Sequence, residues 1–515
     1  MSLILNRRSL MQGAAAGALI IGAGVKPAFS QPKSGGNFRI GKGGGSTSDS
    51  HDPGTWENGF IQAMGLAIYN CLTEVGADGS LVPELAEEWE GSADASVWTL
   101  KLRQGVQFHD GAPLVAADVV ASLNHHMGED SESAAKVIVA SITNMEASDD
   151  HTLIITLDGG NADFPFIISD YHLTIGKAGD DGKVDWQTAN GTGGYMLDTF
   201  EPGVRCTMTK NPNYWKQGRA HFDSVEMLSI IDPTARTNAL LSGQVDVIDR
   251  VDVKTAALFD AAPNIKLVTI DGTQHFVFPM DTRVGPFSDN NVRNAIKHAV
   301  NRQELVDKVL SGYGSVGNDH PIGKGQRYFA SDLPQTTYDP DKAKWYLQQS
   351  GLESIDIDLS AADAAFGGAV DAALLIANSA APAGININVI REPNDGYWSN
   401  VWMVKPWTAS YWGGRPTEDQ MLSTAYATGA AWNDSFWSNE RFDKVLLEAR
   451  AELNEDKRRE MYQELQTLLN TDGGVVVPMF ANYVIAMTTA VGHDEQLGSN
   501  MDMDSERSIE RWWFV

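Results

Sequence analysis

The chain has 515 residues, 43% of them hydrophobic and 14 of them tryptophan, and 39 basic residues stand against 67 acidic ones for a formal charge of −28. That length exceeds what one core serves and points to two or three lobes, while the apolar content excludes a disordered or fibrous chain. So negative a chain repels phosphate backbones and anionic lipid surfaces, which sets nucleic-acid partners aside.

The N-terminus carries the pair Arg7-Arg8, an apolar Ala/Gly-rich stretch from Met11 to Val25, and the small-x-small motif Ala28-Phe29-Ser30. This is the architecture of a signal peptide of the twin-arginine type over residues 1–30, cleaved near Ser30-Gln31. The apolar run is shorter than the roughly 20 residues a spanning helix needs. No cysteine follows it for a lipid anchor. The expectation is an exported, soluble, periplasmic mature protein.

Beyond it, Asn37-Phe38-Arg39-Ile40 reads as an opening strand running into a glycine-rich loop, Gly41 to Gly45, that lacks the phosphate-binding P-loop pattern. A helix is expected over Ile61 to Leu72. Val97–Leu102 and His151–Leu157 alternate with period two and predict strands, with a helix between them at Ala117 to His126. Val292 to Leu310 has helical spacing. Asp341 to Leu347 predicts a short helix stopped by Gly351. Ile385–Ile390 predicts a strand, Phe442 to Leu453 and Lys457 to Leu469 two amphipathic helices, the second capped by Asn454, and Val475–Val477 a buried strand. Helix and strand signals mixed in this way mean α/β lobes.

No HExxH, GxSxG, GxGxxG, kinase or EF-hand pattern is present, and His109-Asp110 and His125-His126 are isolated, so no catalytic residue, metal site or cofactor is expected. Cys71 and Cys206 are too few for a disulfide framework, and whether they pair is open at this point.

A series of blocks then occurs in order: Asp78 to Trp89; Trp98-Thr99-Leu100-Lys101-Leu102-Arg103-Gln104-Gly105-Val106-Gln107-Phe108-His109-Asp110-Gly111; Gly191 to Tyr195; Asn211 to Trp215; Leu241 to Val247; and Pro286 to Ile296. With these the chain resembles the family 5 extracellular solute-binding proteins, the dipeptide, oligopeptide and nickel uptake group. The resemblance implies a two-lobe periplasmic binding protein of the Venus-flytrap, class II-like type, with an extra subdomain in the first lobe. Lobe I would span 31–277 with the subdomain at about 76–187, lobe II 278–486, and a C-terminal return to lobe I 487–515. The hinge crossings would lie near His275 to Asp281 and Tyr483 to Thr489. The implied partners are a small-molecule ligand and the ABC permease subunits, with the protein itself a monomer.

In the dipeptide binders an aromatic residue and, three positions later, an ammonium-binding Asp sit where this chain has Ala409 to Asp419. Tyr411 takes the aromatic place, Gly414 the Asp place, and Arg415 is next to it. Asp363 falls near the position of the carboxylate-binding Arg. Both ends of the usual clamp are therefore altered. The expected ligand contacts are Tyr411, Trp412, Arg415, Asp419, Trp432, Asn433 and Asp363, an aromatic wall with carboxylates and one guanidinium. The function implied is capture of a peptide or peptide-like solute for an ABC importer. The alternatives are another amine-bearing solute, such as an opine or modified amino acid, and a secreted hydrolase.

Overall fold

In the computed structural model, which describes residues 32–515, the opening strand runs Asn37–Lys42 and buries Phe38 and Ile40 on one face. The signal-peptide reading and its cleavage point lie outside the described residues. The opening strand sits inside a seven-stranded mixed sheet. Its order is Ile265–Ile270, Tyr483–Thr488, Val247–Ile248, Asn37–Lys42, Ser224–Ser229, Arg205–Lys210 and Tyr195–Glu201. The helix Gly59–Ile68, capped by the Asn58 side chain, packs its apolar face under this sheet. A four-stranded antiparallel sheet, built from Ala86–Gly91, Val97–Leu102, Thr152–Leu157 and Ile142–Asp149, forms a subdomain with its own core around Trp98, Leu100 and Ile155.

The second lobe is built on another four-stranded sheet, Gly314–Val316, Val475–Ala481, His275–Pro279 and Ser410–Trp412. A parallel pair, Ile355–Ala361 and Ile385–Arg391, flanks it. Helices Asn290–Ala299, Pro340–Gln349 and Ala369–Ala380 cover one side, and Glu418–Ala425, Glu440–Ala451 and Glu455–Asp472 the other. Val292 to Leu310 is two helices rather than one stretch. Asn301 breaks it, its side chain accepting the Glu304 N–H that opens the helix Arg302–Val309.

The chain leaves the first sheet after Ile270 and enters the second at His275, and it returns between Ala481 and Tyr483. The crossings are thus Asp271–Gln274 and Asn482. The stretches expected as crossings, His275 to Asp281 and Tyr483 to Thr489, are mostly the strands on the far side of each. The outward junction is the polar run Asp271-Gly272-Thr273-Gln274, and the return is the single polar residue Asn482 between apolar strands. The two crossings touch: Ala481 N donates to Gln274 O at 2.9 Å. A Cβ on Gly272 would strike the Ala481 carbonyl oxygen, which fixes glycine there.

Cys71 and Cys206 are both buried and free. Three carboxylates, Glu74, Glu84 and Glu510, converge closely enough to hold a metal ion. The Lys216 ammonium occupies their centre, at 2.7 Å from Glu84 and 2.9 Å from Glu510, with Arg507 and Arg511 beside it. The protein's own cations supply the neutralising charge.

Candidate ligand cleft

Between the lobes, immediately beside the crossings, lies a cleft. One part, of 620 Å³, is lined by Glu57, Gln62 and Tyr171 of the first lobe, by Gly413 and Gly414 of the second, by Asn482, and by Asp502 and Glu506 near the C-terminus. A second part, of 480 Å³, is lined by Asp170, Tyr171 and His172, by Arg415, Gln420, Thr424 and Trp432, and by Met501 and Ser505. Tyr171, Gly414, Asn500 and Met501 line both, so the two parts adjoin.

Arg415 sits at the end of a short path set by local sequence. Ser410–Trp412 pairs with the strand His275–Pro279, Pro416 follows the arginine, and Thr417 caps the helix Glu418–Ala425 with its hydroxyl accepting from Gln420 N. Arg415 is therefore held in the loop just ahead of the helix. Its Nη1 reaches only backbone carbonyls, Gly414 at 3.2 Å and Gly413 at 3.4 Å. Its guanidinium carbon stands 5.9 Å from the Trp412 ring centroid. Among the described residues no carboxylate lies within ion-pair distance of it. Burial lowers the pKa of this guanidinium, the sign of a charge that lacks a counter-ion.

The other expected contacts fall in different places. Trp432 lines the cleft and is 50% exposed, packed at 6.0 Å against Trp412. Trp412 itself is 6% exposed and belongs to the core of the second lobe. Tyr411 alternates to the opposite face of its strand and meets Trp398, so it lines neither part of the cleft. Asp419 is engaged by Arg450, at 3.1 Å. Asn433 is 2% exposed, and its amide donates to the carbonyls of Ala427 and Trp437, stapling its own loop. Asp363 accepts from Gly368 N on the outer surface, with Arg391 at 4.0 Å. Sequence spacing brought all seven together. The structure brings Arg415 and Trp432 into the cleft and places Trp412 behind them.

Gly414 has a steric reason. A Cβ there would collide with Thr273 Oγ1 at the crossing, so no aspartate fits without moving one of the two segments.

Sequence reasoning missed the first-lobe wall. Tyr171 lies in a loop with no periodic signal. His172 is 6% exposed, its Nδ1 2.7 Å from Asp170 and its Nε2 without a partner. The charged run Asp502 to Arg511, part of the expected C-terminal return to lobe I, was not picked out for the cleft, and every residue in it is buried. Its proximity to Trp512 and Trp513 was the available signal.

A model of the bacterial extracellular solute-binding proteins, family 5 (middle region), matches residues 80–434. The chain belongs to this family. Its similarity to the glutathione-binding protein GsiB of Salmonella typhi is 28% identity over 313 residues, 60% of this chain and 60% of that protein. The match therefore spans about 60% of the length of such relatives. The Di/tripeptide-binding protein 1 of Pseudomonas aeruginosa is 24% identical over 458 residues, 81% of this chain and 84% of that one. Among solved structures, HbpA2 from Haemophilus parasuis superposes with a TM-score of 0.83 at 21% identity, covering 93% of this chain and all of that one. That likeness gives the two-lobe family 5 fold, into which the expected fold class falls.

Proposed function

We propose that this family 5 protein captures a peptide or peptide-like solute outside the cytoplasm and delivers it to the membrane permease of an ABC importer. One observation carries the reading: Arg415 is a half-buried cation in the interlobe cleft with no carboxylate partner among the described residues. A guanidinium so placed presents a planar fork to a ligand carboxylate. Trp432 beside it supplies apolar area for a ligand backbone or side chain. The likeness to proteins named for glutathione and for di- and tripeptides supports the peptide class.

Calorimetry with di- and tripeptides tests this. Arg415→Ala is expected to lose roughly 2–5 kcal/mol of binding, as when one partner of a desolvated charge pair is removed. Equal affinity of wild type and variant for a peptide acid contradicts the reading. The bound solute is recovered chemically unchanged, as for a receptor rather than a hydrolase. Asp363→Asn, on the outer surface, leaves affinity unaltered.

Export by the twin-arginine route belongs to the same proposal. Arg7 and Arg8 replaced by lysines leave unprocessed precursor in the cytoplasm. Normal processed protein outside the cytoplasm from that variant rules the route out.

A further inference from the structure

The C-terminal side of the cleft contains a backbone conformation that L-residues avoid. Met503, Asp504, Ser505 and Glu506 all have φ between 51° and 61°, four consecutive non-glycine residues in the left-handed region. Each costs about 1–2 kcal/mol relative to right-handed helix. The turn persists because its surroundings over-determine it. Asp504 accepts from Gly498 N at 2.6 Å and pairs with Arg511 at 2.9 Å, Glu506 pairs with Lys42 at 2.6 Å, and Met503 is buried in the core. Strain held in this way marks a segment whose exact course is used.

What the turn presents to the cleft is Asp502. It is 7% exposed and lines the 620 Å³ part of the cleft. Its Oδ1 accepts from Met503 N at 2.8 Å, and its other oxygen has no donor among the described residues. The nearby ammonium, Lys42, is taken by Asp249 at 3.0 Å and Glu506 at 2.6 Å, which leaves Asp502 as the carboxylate of that group without an ion pair. Burial, and then Asp249, push its carboxyl pKa upward, so its charge is disfavoured until a cation arrives. Asn482 at the crossing lines the same space, its Oδ1 covered and without a donor among the described residues. Arg250 also lines this part of the cleft and lowers the Asp502 pKa from a distance, short of pairing with it.

We infer that Asp502 is the ligand's ammonium anchor. The inference rests on the reading of Arg415 as the carboxylate anchor. The two anchors belong to opposite lobes and to two adjoining parts of the interlobe cleft. A ligand with a free amine at one end and a carboxylate at the other ties the lobes together, so the solute itself supplies the differential contact that favours closure. The substrate class is a short zwitterionic chain, held by both ends, with its amine toward the crossings.

The test is calorimetry with L-alanyl-L-alanine, L-alanyl-L-alanyl-L-alanine and glutathione, each also as its N-acetyl and C-amide form. The expected result is that N-acetylation lowers affinity for wild type at least tenfold. Asp502→Asn, which keeps the acceptor for Met503 N, lowers affinity for the free amines at least tenfold and leaves the N-acetyl forms unchanged. N-acetyl forms that bind as well as free amines overturn the proposal, and so does an Asp502→Asn protein with wild-type affinity for the amines. The N-acetyl comparison uses unaltered protein and decides even if the variant does not fold. If C-amides bind as well as acids while the amine dependence holds, the Asp502 anchor stands and the Arg415 reading fails. If no amine-bearing member binds, both fail.

Discussion

Asp163 of the subdomain lies between two arginines of the second lobe, with Arg458 at 2.6 Å and Arg327 at 2.7 Å. It is 1% exposed and Arg458 3%, while Arg327 is partly exposed at 17%. Burial raises the Asp163 carboxyl pKa, but Arg458 and Arg327 outweigh it, and the group sits below the usual carboxylate range. These ion pairs join the subdomain to the second lobe across the space between them. The lobes separate only by breaking them.

Asp163→Asn is therefore expected to weaken ligand binding without touching the cleft lining. Removing one partner of a buried pair costs about 3–5 kcal/mol, and here that cost falls on the form in which the lobes meet. Calorimetry against wild type checks it. Unaltered affinity in a variant that folds normally contradicts the role of Asp163 as a clasp.

Gly414→Asp would restore the residue type expected from dipeptide binders, yet Thr273 occupies the space. The variant is expected to lose about 1–3 kcal/mol of stability, the usual cost of overpacking, and to lose rather than gain affinity for a peptide amine. Gly414→Asp combined with Thr273→Gly recovers part of the stability. Urea unfolding of the single and double variants measures both.

The two tryptophans separate binding from folding. Trp432→Ala removes a half-exposed ring. It is expected to change the unliganded protein by no more than about 0.5 kcal/mol and to weaken binding by more than about 1 kcal/mol. Trp412→Ala opens the second-lobe core and costs about 3–5 kcal/mol of stability. Melting and titration curves of the two variants distinguish them.

Asp434 gives a pH signature. Burial pushes its carboxyl up to about 7 from 3.8, against the Trp402 and Trp412 indoles. A raised acid contributes stability that is complete below the unfolded pKa and is lost as pH climbs through the folded one. Wild type therefore loses stability between about pH 4 and 7. Asp434→Asn, which keeps an acceptor for Trp402 Nε1, lacks this loss, so its stability relative to wild type rises from pH 5 to pH 8. A difference that does not vary with pH contradicts the assignment.

Much of the fold was legible because core periodicity is a local signal. The strands at 97–102 and 385–391 and the helices at 440–451 and 455–472 fall within three residues of expectation at each end. The crossings were placed late although the polar break Asp271-Gly272-Thr273-Gln274 marks the first, because the strands that follow each crossing are equally apolar. In the cleft, Arg415 was legible from its neighbours, Trp412 before it and the Pro416-Thr417 helix start after it. Asp419 and Asn433 were misread because side-chain chemistry does not reveal prior commitments: one is held by Arg450, the other by three backbone carbonyls. Asp502 was invisible because its burial depends on a left-handed turn that no propensity favours.

The central claim is that a solute bound between Arg415 and Asp502 draws the two lobes together. Small-angle scattering, with the tightest-binding peptide at calorimetrically saturating concentration, measures it directly. The account predicts a smaller radius of gyration for the liganded protein than for the unliganded one. Saturated binding with an unchanged radius of gyration would contradict it.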